Sequence, residues 1–406
     1  MTEITKKKLI YTHANRHRDK MMLTQENVKR KIQAIMTDEE ENRSLFLKPL
    51  LFSVSIGYGG LVKLRETLYK KGLLQSKRLP CPVISIGNIT VGGSGKTPMT
   101  IYVAELIKHL GYGVAIISRG YKGQAEKVGG VVCDGRKICM GPDEAGDEPF
   151  MIAERLKTVP VIVGKNRFKA GILAIKEFRP DVLLLDDAFQ HLKLHRDLDL
   201  VLLDSNKPLG NTYLFPRGTL RETAFALSRG DAVILTRSDM GKAPSLDQIK
   251  KHVPRTPIFH SAHIPYIYKI VTGNSAQSED SLTSSSEYDF GAFKNKRVFA
   301  FSGIASNDNF RRTIESFQCK LENFSEFPDH HQYSEKELDK VVRSAMDVSA
   351  EFIFTTEKDY VRIAHKIKWP MDLVIIGIEI SFGTNDIAFK SFIISQLQRL
   401  IKRSTG

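Results

Sequence analysis

Residues 85–98 read SIGNITVGGSGKTP, and this stretch constrains the chain more than any other. The run leading into it, PVISIGN, is a strand candidate, and Pro98 stands where the first turn of a following helix tolerates proline. Strand, glycine loop and helix therefore come in the order that a phosphate site needs. Gly92, Gly93 and Gly95, with Ser94 between them, permit backbone conformations in which successive N–H groups point inward at phosphate oxygens. The helix N-terminus adds its positive end. Lys96 can reach the β and γ phosphates, and the Thr97 hydroxyl can ligate Mg2+. One position departs from the usual spacing: Thr90 stands where a glycine is expected five residues before Gly95. In this strand-to-helix context GSGKT reads as a nucleotide-binding loop rather than an inert turn.

From Pro82 onward short β-branched runs alternate with helical patterns. PVISIG, GVAIIS, VPVIVG, DVLLLDD, LDLVLLD and DAVILTR are strand candidates, while TPMTIYVAELIKHLG and RFKAGILAIKEF are helical. Apolar runs without polar alternation suit strands buried on both faces, which predicts an α/β, P-loop NTPase-like, mostly parallel sheet flanked by helices. The pattern lapses around residues 261 to 294, where SAHIPYIYKIV reads as linking strands and NSAQSEDSLTSSSEYD as a Ser-rich surface loop. A second, smaller α/β section follows, with KRVFAFSGIA, EFIFTTEKD and DLVIIGIEI and a closing helix near residues 386–403. The expected organisation is a polar extension over 1–44, an amphipathic segment over 45–72, a nucleotide-binding domain over 73–262, linker strands and Ser-rich loop over 263–294, and a C-terminal α/β domain over 295–406.

The 406 residues are 42% hydrophobic and 26% charged, an ordinary globular balance, so the net charge of +14 is what narrows the partners. It favours nucleotide phosphate or an anionic membrane surface; the basic residues are diffuse, and no nucleic-acid recognition signature appears. Cys81, Cys133, Cys139 and Cys319 form no Cys-x-x-Cys pair, which argues against a disulfide frame or structural zinc and for a reducing compartment. The N-terminus lacks the apolar core of a secretory signal, and no run is long enough to span a bilayer. Residues 45–72 come partway, with a charge-free run from Pro49 to Val62 bracketed by Lys48, Lys63, Arg65, Lys70 and Lys71. That pattern suits a helix lying among lipid headgroups, or equally an amphipathic helix packed on its own domain.

A nucleotide site of this kind also needs an acid at a neighbouring strand end to hold Mg2+. DVLLLDDAFQH supplies Asp186 and Asp187. Asp204, ending LDLVLLD, competes for that role, but Gln190 and His191 follow Asp186 closely and can line the same cleft.

The motifs PVISIGNITVGGSGKTP, ISRGYKG, GDEP, VIVGKNR, LLLDDAFQH, FPRGTLRE, FPDHHQY and TTEKD succeed one another through most of the chain, and this combination resembles the tetraacyldisaccharide 4'-kinase family. The resemblance implies an ATP- and Mg2+-dependent kinase that phosphorylates the 4'-hydroxyl of the lipid A disaccharide 1-phosphate precursor. It also implies a peripheral protein on the cytoplasmic face of the inner membrane. The family's catalytic aspartate maps to Asp147 in GDEP and its histidine partner to His330 in FPDHHQY. A carboxylate paired with imidazole suits the proton transfer that an attacking sugar hydroxyl requires. Arg167, with its fork of donors, is a phosphate contact or a structural ion pair; Arg221 and Glu222 sit near metal or sugar, or serve as salt bridges; Tyr121 meets the sugar or an acyl chain, or is simply packed. The extension before Leu45 and the Ser-rich segment at 275–287 have no counterpart in the resemblance, so trimming them should spare activity.

Two readings from other classes compete. A GTP-dependent switch would use Thr236–Asp239, TRSD, as a distant echo of a base-reading motif, and a phosphoesterase would use Asp329, His330 and His331 as metal ligands. The first leaves the base idle, and the second leaves GSGKT unexplained.

Overall fold

The protein is described by a computed structural model over residues 31–38, 46–238, 246–273 and 290–405. The chain divides into two units. One comprises Met1–Lys71, Ile89–Val91 and Leu209–Ala226, and the other the remainder.

In the first unit residues 31–37 are helical (α1), and Leu47–Lys70 form α2. One face of α2 is fixed to the 209–226 segment. The Ser55 hydroxyl donates to the Leu214 carbonyl at 2.8 Å and accepts from the Arg217 amide at 3.0 Å, and Tyr58 donates to the Arg221 carbonyl at 2.8 Å. Gly59 lets the two backbones approach, since a Cβ there would meet Leu214 at 2.6 Å. The opposite face carries Leu50, Val54, Leu61 and Leu64, all exposed and spaced 4, 7 and 3 apart, which places them on one helical stripe. The helix thus packs on its own unit through one face, with Leu51 and Ser55 buried, and leaves the other face exposed.

The second unit is built on an eight-stranded sheet of β1 (Val83–Asn88), β2 (Val114–Ser118), β3 (Gly130–Asp134), β4 (Pro160–Val163), β5 (Val182–Asp186), β6 (Leu198–Asp204), β7 (Ala232–Thr236) and β8 (Ile258–His260). The order is β3-β4-β2-β5-β1-β6-β7-β8, parallel except for β3 against β4. Every residue of β1, β2, β5 and β7 is buried, as strands covered on both faces require. The connections carry α3 (Lys96–His109), α4 (Pro142–Ala145), α5 (Asp147–Leu156), α6 (Arg167–Phe178) and α7 (Leu246–Lys250). Because β1 lies between β5 and β6, the chain leaves it at a point where strand order reverses, the place where open α/β sheets bind ligands.

The same unit holds a five-stranded sheet of β9 (Ala262–Val271), β10 (Arg297–Ser302), β11 (Lys320–Glu326), β12 (Phe352–Thr356) and β13 (Leu373–Ser381), ordered β11-β10-β12-β13-β9. The linking run SAHIPYIYKIV is its edge strand β9, antiparallel to β13. Its helices are α8 (Asn307–Ser316), α9 (Glu335–Asp347) and α10 (Glu357–Ile363). The final helix, α11 (Asp386–Thr405), leaves this sheet and covers the larger one. Phe389, Ile393, Leu397 and Leu400 enter a core shared with Met99, Val103 and Ile107 of α3 and with β6 and β7. At about 1.5–3 kcal/mol per buried side chain, these contacts hold the two sheets together.

Candidate active site

The loop after β1 adopts a cradle conformation. Gly92 and Gly95 take φ of 119° and 80°, and Gly95, left-handed, is the N-cap of α3. Ser94 is buried and accepts a hydrogen bond from the Asn88 amide at 2.8 Å. Two groups from the end of β7 brace the loop: Thr236 donates to the Ser94 carbonyl at 3.2 Å, and Arg237 donates to the Gly93 carbonyl at 2.6 Å. Arg237 also pairs with Asp204, which spends that acid on a cation. The described part of TRSD thus supports the phosphate loop; Asp239 lies outside the described residues.

Lys96 and Thr97 open α3, with Thr97 buried and the Lys96 ammonium 3.8 Å from Asp187. Asp186, at the end of β5, is buried and accepts from Thr100 at 3.2 Å and Ser118 at 3.3 Å. Burial pushes its carboxyl up from the usual range, Glu148 and Asp187 push the same way, and Lys96 opposes them. Neighbouring carboxylates beside a phosphate loop have the chemistry to hold a divalent cation, with Lys96 and Arg167 offsetting part of their charge. Among the described residues no group of three or more His, Cys, Asp or Glu stands ready to hold a metal ion.

Asp147 begins α5 and is buried; His330 lies in the turn after β11 with φ of 59°. The sequence places them 183 residues apart, and the fold brings His330 Nδ1 within 2.8 Å of Asp147 Oδ2. Arg362 of α10 reaches the same oxygen from Nε at 2.9 Å and Nη2 at 2.6 Å. Burial alone would raise this carboxyl, but the hydrogen bonds from His330 and Arg362 and the Arg362 charge outweigh it and hold it down to about 2. The Tyr121 ring stands edge-on to His330 at 5.7 Å.

A phosphate loop, strand-tip acids and a buried carboxylate–imidazole pair thus occupy one unit. A family model described as Tetraacyldisaccharide-1-P 4'-kinase matches residues 47–398. The chain belongs to this family. It is 39% identical to the tetraacyldisaccharide 4'-kinase of Desulfatibacillum aliphaticivorans, over 92% of this chain and 99% of that one. With the enzyme of that name from Syntrophus aciditrophicus it shares 38% identity, over 87% and 94%. The crystal structure of LpxK from Aquifex aeolicus in complex with ATP aligns with a TM-score of 0.66 at 31% identity, covering 87% of this chain and 99% of the other.

The remaining residues of the kinase expected at the site are placed unevenly. Gln190 donates to the Asn88 carbonyl at 2.6 Å, beside the phosphate loop, while the His191 backbone closes the turn after β5 through a 2.8 Å bond to Ala188. Arg167 is buried at the start of α6, gives Nη1 to the Gly164 carbonyl at 3.0 Å, and feels Asp186 and Asp187 electrostatically. Arg221 and Glu222 lie in the unit that carries α2. The metal-binding reading of Asp329, His330 and His331 is corrected by geometry: His330 turns to Asp147, whereas His331 bonds Glu337 at 3.1 Å. Sequence reasoning missed Arg362 and Lys358. Lys358 sits inside the TTEKD motif, and its ammonium lies 3.2 Å from His330 Nε2, 3.2 Å from Asp329 and 3.4 Å from Glu148.

Proposed function

We propose that Asp147, paired with His330, is the base that takes the proton of the attacking sugar hydroxyl in this kinase. The reaction is transfer of the γ-phosphoryl group of ATP to the 4'-hydroxyl of tetraacyldisaccharide 1-phosphate, a step in lipid A biosynthesis, and the chain is an ATP-dependent kinase of that kind. The hydroxyl oxygen bonds to the γ-phosphorus as the bond to the β-γ bridging oxygen breaks; ADP leaves, and the hydroxyl proton passes to the pair. The observation that carries this reading is the 2.8 Å contact between Asp147 and His330, two buried or half-buried groups in the unit that holds the phosphate loop.

Gly92, Gly93, Ser94 and Gly95 present the backbone that cradles the phosphates, and Lys96 neutralises the group in flight. Thr97, Asp186 and Asp187 would hold Mg2+, which when bound supplies positive charge at the phosphates. Tyr121, beside His330, is assigned to the sugar, and Arg167, Gln190 and His191 to the polar surround of the nucleotide and acceptor. Arg221 and Glu222 are assigned to the lipid substrate. The exposed stripe of α2, on a helix whose charge-free run from Pro49 to Val62 is bracketed in sequence by Lys48 and by Lys63, Arg65, Lys70 and Lys71, supports peripheral binding to the anionic, cytoplasmic face of the inner membrane. No helix among the described residues is long and apolar enough to cross a membrane.

The test is label transfer from γ-labelled ATP, with Mg2+, to tetraacyldisaccharide 1-phosphate in detergent micelles, beside Lys96→Ala. Label on the 4' position that disappears with the lysine is the expected result. Label released only as free phosphate, with the lipid untouched, would replace the kinase reading with that of an NTPase switch.

A further inference from the structure

All of the hydrogen bonds to Asp147 among the described residues fall on one oxygen. His330 Nδ1 and Arg362 Nε and Nη2 converge on Oδ2, and Oδ1 carries none. Lys358 and Arg362 stand one turn apart on α10, and each addresses a different member of the pair. The Lys358 ammonium has only hydrogens to offer, so His330 Nε2, 3.2 Å away, is the acceptor, and Nδ1 holds the ring hydrogen given to Oδ2. Arg362 Nη2 also lies 3.3 Å from Nδ1; both are then donors, and that approach follows from sharing Oδ2 rather than from a bond.

Arg362 is itself rigidly held. Its Nη1 reaches the Gly303 carbonyl and Asp359 Oδ1, each at 3.3 Å, and Asp359 is fixed by Tyr333 at 2.8 Å, Thr356 at 2.6 Å and the Gly303 amide at 3.0 Å. A guanidinium that meets one carboxylate oxygen through two N–H groups fixes direction as well as charge. From this geometry we propose that Arg362 is a positioning residue for the phosphoryl transfer: it pins Oδ2 of Asp147 so that Oδ1 presents its lone pairs to the acceptor hydroxyl. The inference rests on the assignment of Asp147 as the base. It gives α10, anchored on the smaller sheet, direct control over a group that α5 anchors on the larger one.

The charged and titratable groups around Asp147 are His330 and Asp329 from the 327–333 turn, Arg362, Lys358 and Asp359 from α10, Tyr333, and Glu148 of its own helix. Glu144 of α4 turns to the Gly141 amide, and Glu105 of α3 faces Arg155. Among the described residues only Arg362 and His330 hydrogen-bond the carboxylate. Removing Arg362 therefore takes away a group that favours the ionised acid, so the acidic limb of the kcat profile moves to higher pH.

The experiment compares full-length Arg362→Met, Arg362→Lys, Asp147→Asn and the Asp147→Asn/Arg362→Met double variant, measuring kcat and both KM values from acid to alkaline pH. Arg362→Met should lower kcat about 100-fold, the scale of loss that follows from slight misplacement of a reacting group. The KM for ATP should stay unchanged and the acidic limb should move up, with Arg362→Lys intermediate. In the Asp147→Asn background the Arg362 change should cost nothing further. An equal cost in both backgrounds, or a uniform loss with an unmoved limb, overturns the positioning role and leaves Arg362 as a structural brace. Wild-type turnover in Asp147→Asn instead overturns the base assignment itself. Asp359 keeps three donors without Arg362, and if Arg362→Met still fails to fold, Arg362→Lys decides through the same pH limb.

Discussion

A buried carboxylate held ionised by two partners is costly unless the site uses it, and Asp147 is such a group. Asp147→Ala should lower kcat by about 100- to 10,000-fold, the range general bases supply, while ATP binding by titration stays near wild type, because nothing in the phosphate loop touches Asp147 among the described residues. An equal loss in both would remove the base role. Gly95 makes the opposite prediction. Its φ of 80° is strained for any side chain, and a Cβ there would run into the His263 ring. Gly95→Ala should raise the KM for ATP by tenfold or more and leave the pH limbs of kcat in place; an unchanged KM would mean that the loop tolerates repacking. Lys96 and Thr97 could be read from the local spacing of a phosphate cradle, and Asp186 from its place at the end of an apolar strand run. Asp147 and His330 were legible only through family resemblance, since residues 183 apart carry no local signal of their meeting. Arg362 left no trace at all: an arginine four residues after Lys358 reads as a solvated charge until the fold carries it to a partner 215 residues away.

Strands buried on both faces were legible for a physical reason, since β1, β2, β5 and β7 admit little but apolar residues over their length. The edge strand β11, KLENFSE, was not: it is largely exposed, and its pairing with β10 is set by tertiary contact rather than by pattern. Helix α10 shows a cost built into an element. Glu357, its first residue, is buried, with Oε2 at 3.3 Å from Arg155 and 3.4 Å from Tyr266 and with Oε1 unpartnered. Burial pushes it up to about 7, against the pull of Arg155. Its folded value exceeds the unfolded one, so the folded state binds more protons between about pH 4.5 and 7 and loses stability as pH rises through that window. Glu357→Gln should flatten the Tm–pH curve there and leave it unchanged below pH 4. Asp186 contributes a slope of the same sign, so the difference between the two curves isolates Glu357. Identical slopes in both proteins would show that Arg155 and Tyr266 already accommodate the charge.

At the scale of the whole molecule the net charge of +14 takes on meaning through where apolar and basic groups coincide. Leu50, Val54, Leu61 and Leu64 leave a stripe of α2 in water, and folding gains nothing from them there. Lys48 on one side and Lys63, Arg65, Lys70 and Lys71 on the other bracket the charge-free run from Pro49 to Val62 in sequence, each basic group contributing about 1 kcal/mol near an anionic surface and less once salt shortens the screening length. The two terms separate by experiment. Replacing Leu50, Val54, Leu61 and Leu64 together with Gln should lower co-sedimentation with phosphatidylglycerol vesicles by about tenfold or more, at low and high salt alike, because area removed from water is insensitive to screening. Replacing the five basic residues with Gln should weaken binding at low salt and converge on wild type as salt rises. ATP affinity should be untouched in both, since the phosphate loop belongs to the other unit. If the four-residue variant sediments as wild type does, α2 is not the membrane-binding surface. If it sediments less but phosphorylates lipid presented in those vesicles at the wild-type rate, the helix concentrates the enzyme at membranes without delivering its substrate.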